Sequence, residues 1–212
     1  ACDGFKLAVC SYGAELKKLE DSERGVEYSF IVPVKSVNEI IKLLSDNEDD
    51  EVTVYMSHKN MVVVFDDLIF FTRLINGEYV DYNRIIIKNH KIEVKTEKSR
   101  IIAALEKAAL ITEERIVGNV RSHVRIEVVG DIMKVSAVST AGSIYDEFPI
   151  EHDGDDLSIA FNNRFLIDSI RACRSKTIKI SMSSPLMSIN VEPYDDEEGS
   201  ELFMLLPVRT RD

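Results

Sequence analysis

The chain has 212 residues, of which 45% are hydrophobic, and its formal net charge at pH 7 is −11. No apolar run approaches the roughly 18 residues that a membrane-spanning helix needs, so the composition favours a soluble globular protein. Three cysteines, an odd number, do not make a disulfide framework. We therefore expect a reducing, cytoplasmic environment.

Acidic residues are concentrated in two runs. Residues 46–51 carry five Asp or Glu and residues 192–201 carry six, so these two runs account for the whole net charge of −11. Both are interpreted as solvated loops. Each of the three predicted helices carries a net positive charge instead.

In chain order, a lone strand is predicted within residues 1–12, and a charged stretch follows at 15–24. A unit then occurs three times, and each copy is predicted to contain a short apolar strand, an amphipathic helix and further strands. The first copy comprises residues 28–32, 37–44, 51–55, 61–65 and 69–73. Residues 81–90 fit neither helix nor strand and are predicted to link two domains.

The second and third copies follow this linker. The second comprises residues 91–94, 100–107, 124–128, 132–135 and 144–148, and the third comprises 157–161, 165–171, 177–180, 187–191 and 202–206. A period of about 50–60 residues predicts an array of supersecondary units. Alternating apolar residues favour antiparallel strands with one covered face. The expected fold class is α+β, with helices on one face of antiparallel sheets.

Helix caps and stripes support these assignments. Ser36 and Glu39 fit a capping box, Thr96 is predicted to cap the second helix, and Asn162 or Asn163 the third. Two apolar stripes at helical spacing predict a buried face on the first and third helices. The stripes comprise Val37, Ile40, Ile41 and Leu44 in the first helix, and Leu166, Ile170 and Cys173 in the third.

Sequence motifs for catalysis are missing. The glycines form no phosphate-binding loop, and the four histidines are far apart, without zinc-ligand spacing. Asp66 and Asp67 are interpreted as a turn, and Cys173 as a core residue rather than a nucleophile. We therefore expect no catalytic residue, no metal and no cofactor.

Four short segments look too specific to be explained by packing alone. They are ACDGFKLAV at residues 1–9, INGEYVDYNRI at 75–85, AFNNRF at 160–165 and LPVR at 206–209. Together with the threefold repeat, and in the same order over the whole chain, they resemble the β sliding clamp family of bacterial DNA polymerase III. The family counterparts are TDGHRLA-like, DGxFPDYxRV-like, FNxxYL-like and MPxRL-like segments.

The resemblance implies a DNA clamp fold and a role as a processivity factor in DNA replication. Two copies of the unit make one domain, three domains make one subunit, and two subunits close into a ring around duplex DNA. Residues 1–90 would be the latter part of the middle domain and 91–212 the C-terminal domain, with the first domain and the front of the middle one outside this sequence. Six basic helix residues would face DNA phosphates without reading sequence. They are Lys42, Arg100, Lys107, Arg164, Arg171 and Arg174.

The resemblance also implies a hydrophobic pocket between the middle and C-terminal domains. It would bind short peptides of the Gln-Leu-x-Leu-Phe type from the polymerase III alpha subunit, the clamp loader, other polymerases and repair proteins. An apolar cleft with a few polar groups suits an extended peptide. Matched position by position, the pocket comprises Cys2, Gly4, Phe5, Lys6, Leu7, Val80, Arg84, Ile85, Asn162, Phe165, Leu186, Ser188, Met204, Leu205, Leu206, Pro207, Val208 and Arg209.

Several positions depart from the family pattern. Phe5 and Lys6 replace a His and an Arg, Val80 replaces a Pro, and residues 210–212 extend past the usual end. The change at Val80 and the extension are expected to alter pocket shape and peptide preference. An insertion around 115–123 leaves one aromatic pocket contact without a counterpart.

Leu110 and Ile111 match the family's apolar dimer contact, which meets the first domain of the other subunit. Because that domain is outside this sequence, we expect that the chain alone does not close a ring and that both side chains are exposed or buried elsewhere. The leading interpretation is a non-enzymatic sliding clamp. The alternatives are a stand-alone peptide-binding module that does not engage DNA and, third, an enzyme, which should show a polar cleft with perturbed titratable groups.

Overall fold

A computed structural model describes residues 1–13, 29–44, 51–65, 67–112, 123–140, 142–195 and 199–210. The chain forms two compact units, one made of Ala1–Glu15 with Tyr82–Asp212 and the other of Leu16–Asp81. The opening residues thus belong to the same unit as residues 82–212. The predicted domain boundary after residue 90 stays a prediction.

The described elements follow the predicted repeat. In chain order they are β1 (Lys6–Tyr12), α1 (Val34–Leu43), β2 (Thr53–Met56), β3 (Asn60–Phe65), β4 (Leu68–Arg73), a short 3₁₀ helix (Tyr82–Arg84), β5 (Ile92–Glu97), α2 (Lys98–Thr112), β6 (Val124–Val129), β7 (Ile132–Ser139), β8 (Gly142–Pro149), β9 (Glu151–Asp153), β10 (Leu157–Phe161), α3 (Asn163–Ala172), β11 (Thr177–Met182), β12 (Ile189–Pro193) and β13 (Gly199–Leu205). No described helix is long and apolar enough to cross a bilayer. The short strand β9 was not predicted.

The larger unit contains two antiparallel sheets that exchange strands. One has the order β1-β13-β12-β11-β5-β9 and the other β10-β6-β7-β8. The first strand of each repeat joins the sheet of the other repeat, because β5 pairs with β11 and β10 pairs with β6. Neither repeat completes its sheet alone, which explains physically why two copies form one unit.

Helices α2 and α3 pack against each other and share one core with both sheets. The predicted stripe of α3 is confirmed, since Leu166, Ile170 and Cys173 are buried. Ile101 and Leu105 of α2 are also buried in this core. Full burial of such a side chain contributes about 1.5–3 kcal/mol, so the two helices hold the larger unit together.

The smaller unit contains α1 and the sheet β2-β3-β4. The predicted burial of the α1 stripe is wrong for the described residues: α1 has no buried residue, and Ile41 is 65% exposed. Residues 29–32 of the predicted first strand make one isolated bridge, between Ile31 and Ile75. Both differences have one cause, because the described part of this unit holds only one copy of the repeat and so no second helix or exchanged strand.

Two predicted helix caps are wrong and one is confirmed. Helix α1 begins after Pro33 without a side-chain cap, and the Ser36 hydroxyl instead bonds that of Thr72 at 2.6 Å. Thr96 lies in β5 with its buried hydroxyl unpartnered among the described residues, because α2 follows the strand directly. Asn162 does cap α3, its side-chain oxygen accepting the Phe165 N–H at 3.2 Å. Asn163 is instead the first residue of α3.

The acidic runs fall partly outside the described residues, as do the charged stretch at 15–24, most of the insertion at 115–123 and Asp66. Asp67 lies in the turn between β3 and β4, as predicted. Glu201 corrects the loop interpretation of the second run. It lies in β13 and is 5% exposed.

Candidate functional site

Three adjacent strands of the six-stranded sheet, β1, β13 and β12, have neighbouring ends on the same side of the sheet. Leu205 of β13 pairs with Lys6 of β1 on one side and with Ile189 of β12 on the other. Because these pairings are antiparallel, the residues next to the three strands lie at one common end. Phe5 precedes β1, Ser188 precedes β12 and Leu206 follows β13. The N–H of Leu206 donates to the Phe5 carbonyl oxygen at 3.0 Å and continues the pairing beyond the strands.

The C-terminal tail then passes the start of α3. The N–H of Val208 donates to the carbonyl oxygen of Ala160 in β10 at 2.7 Å, two residues before the Asn162 cap. The Phe5 ring lies 5.9 Å from the Phe165 ring, at an interplanar angle of 37°. The opening strand, the tail and the α3 start therefore meet in one surface.

The turn before β1 is held by Asp3. Its carboxylate accepts the N–H groups of Phe5 at 2.9 Å and Lys6 at 2.8 Å. Burial raises the pKa of the Asp3 carboxyl, but these two hydrogen bonds and the Lys6 charge outweigh it, so the pKa is lowered overall. Gly4 has φ +86°, a conformation that favours glycine, and so lets the chain turn into β1.

Lys6 contacts two carboxylates, those of Asp3 and Asp168, and the aromatic ring of Phe165. Its ammonium lies 3.3 Å from Asp168, 3.9 Å from Asp3 and 4.5 Å from the centre of the Phe165 ring. The ammonium therefore links β1 to α3 and covers part of Phe165.

The predicted pocket residues differ in exposure. Those of the larger unit with exposed side chains or backbone are Cys2, Gly4, Phe5, Arg84, Ile85, Leu186, Leu206 and Arg209. Those half-buried are Lys6, Asn162, Phe165, Pro207 and Val208. The buried ones are Leu7, Met204 and Leu205, which are ordinary strand residues, and Ser188, which directly precedes β12. Val80 is exposed and belongs to the smaller unit.

The linker residues are anchored to the same unit. The side-chain amide of Asn190 in β12 donates to the Ile87 carbonyl oxygen at 2.9 Å, and the Lys91 N–H donates to the Met182 carbonyl oxygen at 3.1 Å. His90 Nδ1 lies 3.2 Å from the Ser183 hydroxyl. Burial lowers the pKa of His90, so the neutral ring is favoured there.

The six predicted DNA-facing cations are all exposed, but five are paired with carboxylates. Lys42 pairs with Glu39 at 2.8 Å, Arg100 with Glu97 at 3.0 Å and Lys107 with Asp146 at 2.7 Å. Arg171 of α3 pairs with Glu106 of α2. Arg164 makes no ion pair within the described part of the chain.

Arg174, the fifth paired cation, has a distinct environment. Its side chain lies 3.6 Å from buried Glu201 and 4.5 Å from the centre of the Tyr12 ring. Glu201 also accepts the Arg174 N–H at 2.9 Å and the Tyr12 hydroxyl, and the latter bond raises the pKa of Tyr12 to about 12. Sequence reasoning missed Glu201 and Tyr12. They fasten the far end of β1 to β13 and to the end of α3.

The two residues of the predicted dimer contact, Leu110 and Ile111, differ in exposure. Leu110 is 76% exposed, whereas Ile111 is half-buried and packs against the core. Both lie in the last turn of α2, which packs against β7 and β8.

A polar concavity of about 440 Å³ lies at a different place in the larger unit. Lys95, Arg100 and three carboxylates are among the residues that line it. A hydrogen bond to Glu151 raises the pKa of Lys95, the opposite of what a lysine acting as base or nucleophile needs. No group of three His, Cys, Asp or Glu in the described ranges is arranged to hold a metal ion.

Family models match nearly the whole chain. The model of the DNA polymerase III beta subunit central domain matches residues 1–81, and that of its C-terminal domain matches residues 83–207. The chain belongs to the DNA polymerase III beta subunit family. Its α+β architecture is the DNA clamp fold, so the expected family and fold class are confirmed.

Curated relatives and solved structures agree with this family. The beta sliding clamp of Lactococcus lactis is 28% identical over 92% of this chain and 50% of its own length, and that of Staphylococcus aureus is 24% identical over 99% and 52%. The beta subunit from DNA polymerase of Streptococcus pyogenes has a TM-score of 0.83 at 28% identity, covering 99% of this chain and 54% of that one. The Bacillus subtilis sliding clamp shares the fold, with a TM-score of 0.84 at 23% identity, over 100% and 53%. This chain spans about half the length of these proteins.

Proposed function

We propose that this chain supplies the partner-binding surface and part of the DNA-facing wall of a sliding clamp that encircles duplex DNA. In this role it is a non-enzymatic processivity factor. Partner proteins would dock by short linear peptides, and the clamp would hold them on DNA without reading its sequence.

The observation that supports peptide binding best is the meeting of three segments at one sheet end. Phe5 precedes β1 and Leu206 follows β13 there, and Phe165, near the start of α3, lies beside Phe5. Exposed apolar side chains grouped at one sheet end suit an extended peptide, because alternate side chains of the peptide can pack against them and so give specificity.

Two arginines of α3 support contact with DNA. Arg164 and Arg171 lie seven residues apart on one exposed face of α3, where exposed guanidinium groups suit contacts with phosphates. The five carboxylate pairs reduce the net positive potential of the helices, which favours the second candidate, a peptide-binding module that does not engage DNA. Salt dependence of duplex binding separates the two. A clamp wall predicts weak, salt-sensitive binding that decreases in Arg164→Ala.

Leu110 is proposed to contact a neighbouring subunit in a closed ring. Relatives are about twice as long as the match, and the family's partner for this contact is a further domain. Sedimentation of the unchanged chain and of Leu110→Ala tests this contact: the substitution should weaken self-association, and equal association of the two would contradict it.

Titration with the pentapeptide Gln-Leu-Ser-Leu-Phe tests the peptide site. The chain should bind it, and Leu206→Ala and Arg209→Ala should each weaken binding several-fold. Leu110→Ala is the control, because it removes an exposed leucine outside the surface; Leu110 is 76% exposed and Leu206 is 42% exposed. If the peptide does not bind, or if both substitutions leave its affinity unchanged, the peptide site is wrongly assigned.

A further inference from the structure

One exposed ring at the proposed peptide surface has no polar atom. Phe5 is 57% exposed, and Leu206, bonded to its carbonyl oxygen, is 42% exposed. Phe165 lies beside Phe5 and is half-buried. A peptide that crosses this sheet end therefore meets an apolar platform, at a position where the family pattern has a histidine.

Lys6 is the one lysine whose ammonium lies over the Phe165 ring in the part of the chain that the structure describes. The charge of this ammonium is balanced by carboxylates of the same chain. Two carboxylates, Asp168 at 3.3 Å and Asp3 at 3.9 Å, and the Phe165 ring lie around it. An ammonium already paired in this way gains little from an acidic ligand. Its contacts run from β1 to α3, so its removal would free the Phe165 ring to change position.

We infer that Phe5 sets the peptide specificity of this surface, selecting an aromatic or branched aliphatic side chain, and that Lys6 is a positioning residue that holds Phe165 against Phe5. The inference rests on the proposed peptide site and specifies its ligand class. A polar side chain placed on the Phe5 ring loses water without gaining a hydrogen bond. An apolar one gains burial and, if aromatic, a favourable ring pair.

Three acetylated pentapeptides test the specificity: Gln-Leu-Ser-Leu-Phe and two versions in which Gln or Ser is replaced by Leu. For the unchanged full chain we expect one Leu-substituted peptide to bind about five-fold tighter than the parent, as partial burial of one more aliphatic side chain on this exposed surface implies. Phe5→Ala should abolish this gain, and Phe5→His should reduce it. Far-ultraviolet circular dichroism verifies that each variant is folded.

The positioning role of Lys6 has separate readouts. Lys6→Met should weaken all three peptides several-fold and shift the Phe165 ring signals in NMR spectra without peptide, whereas Lys6→Arg should retain binding within about two-fold. Lys6→Met should leave the salt dependence of the affinity unchanged, because the ammonium is already balanced by Asp3 and Asp168.

The outcomes distinguish this inference from the proposed function. If the parent peptide binds but the Leu-substituted peptides bind no better, or if the gain survives Phe5→Ala, the specificity inference is overturned and the site remains. A salt dependence of affinity that disappears in Lys6→Met, or Lys6→Met spectra that leave Phe165 unmoved, would overturn the positioning role. Failure of all three peptides to bind the unchanged chain would overturn the site together with the inference.

Discussion

Glu201 offers a quantitative test of how β1 is held in place. Its carboxylate accepts the Tyr12 hydroxyl and the Arg174 N–H, and a hydrogen bond to a charged group contributes about 1.5–3 kcal/mol. The Arg174 guanidinium is well exposed, so the ion pair itself adds only about 0–1 kcal/mol. Removing a buried carboxylate also removes its desolvation cost, which offsets part of the loss. For Glu201→Ala we expect a decrease of about 3 kcal/mol in the free energy of unfolding.

Urea denaturation measures this loss, and hydrogen exchange of the β1 amides locates it. Tyr12→Phe removes one of the two bonds and should lower the free energy of unfolding by only part of the Glu201→Ala loss. Glu151→Ala is the matched control, since Glu151 is 75% exposed in its side chain and its replacement should change stability by less than about 0.5 kcal/mol. A Glu201→Ala variant as stable as the Glu151→Ala variant, with unchanged β1 exchange, would refute the reasoning.

Three further predictions concern stability in the larger unit. Asn162→Ala should cost about 1 kcal/mol through loss of the α3 cap, whereas Thr96→Val should be neutral or stabilising because that hydroxyl is unpartnered among the described residues; equal losses in urea denaturation would contradict both. Gly154→Ala should cost about 1–3 kcal/mol or more, since φ is +115° and a Cβ would lie 2.5 Å from a backbone oxygen; Gly77→Ala, with open space around it, is the control. Because burial lowers the pKa of His90 from 6.5, the unfolded state binds more protons between the two pKa values. Stability should therefore fall as pH falls from about 6.5 through the lower folded pKa, and His90→Gln should remove that part of the pH dependence; a His90→Gln profile identical to the parent would contradict this.

Local patterns predicted the elements well where the repeat supplied both partners. The α3 stripe through Leu166 and Ile170 is buried because α2 and two sheets lie against it. The same kind of stripe in α1, through Ile41, stays exposed in the described unit, because burial depends on a second repeat and not on the stripe itself. The strand exchange between repeats is likewise invisible in periodicity, since a pattern of apolar residues does not name its pairing partner.

The site was predictable only through short collinear segments. Phe5, Phe165 and Leu206 are far apart in the chain, and no spacing rule brings them together. Glu201 was missed because an acidic run is usually a solvated loop, and its burial depends on Tyr12 and Arg174, which come from two other segments. Ser36 failed as a cap for a similar reason, because a tertiary partner, Thr72, took its hydroxyl.

Hydrogen–deuterium exchange of the full chain with and without the Gln-Leu-Ser-Leu-Phe peptide tests the central claim most directly, because it maps the binding surface without presupposing its residues. We predict that added protection is confined to residues 2–7, 162–165 and 204–209, where the strand ends, the α3 start and the tail meet. Protection centred instead on the polar concavity around Lys95 and Arg100, or no added protection at saturating peptide, would contradict the proposed partner-binding surface.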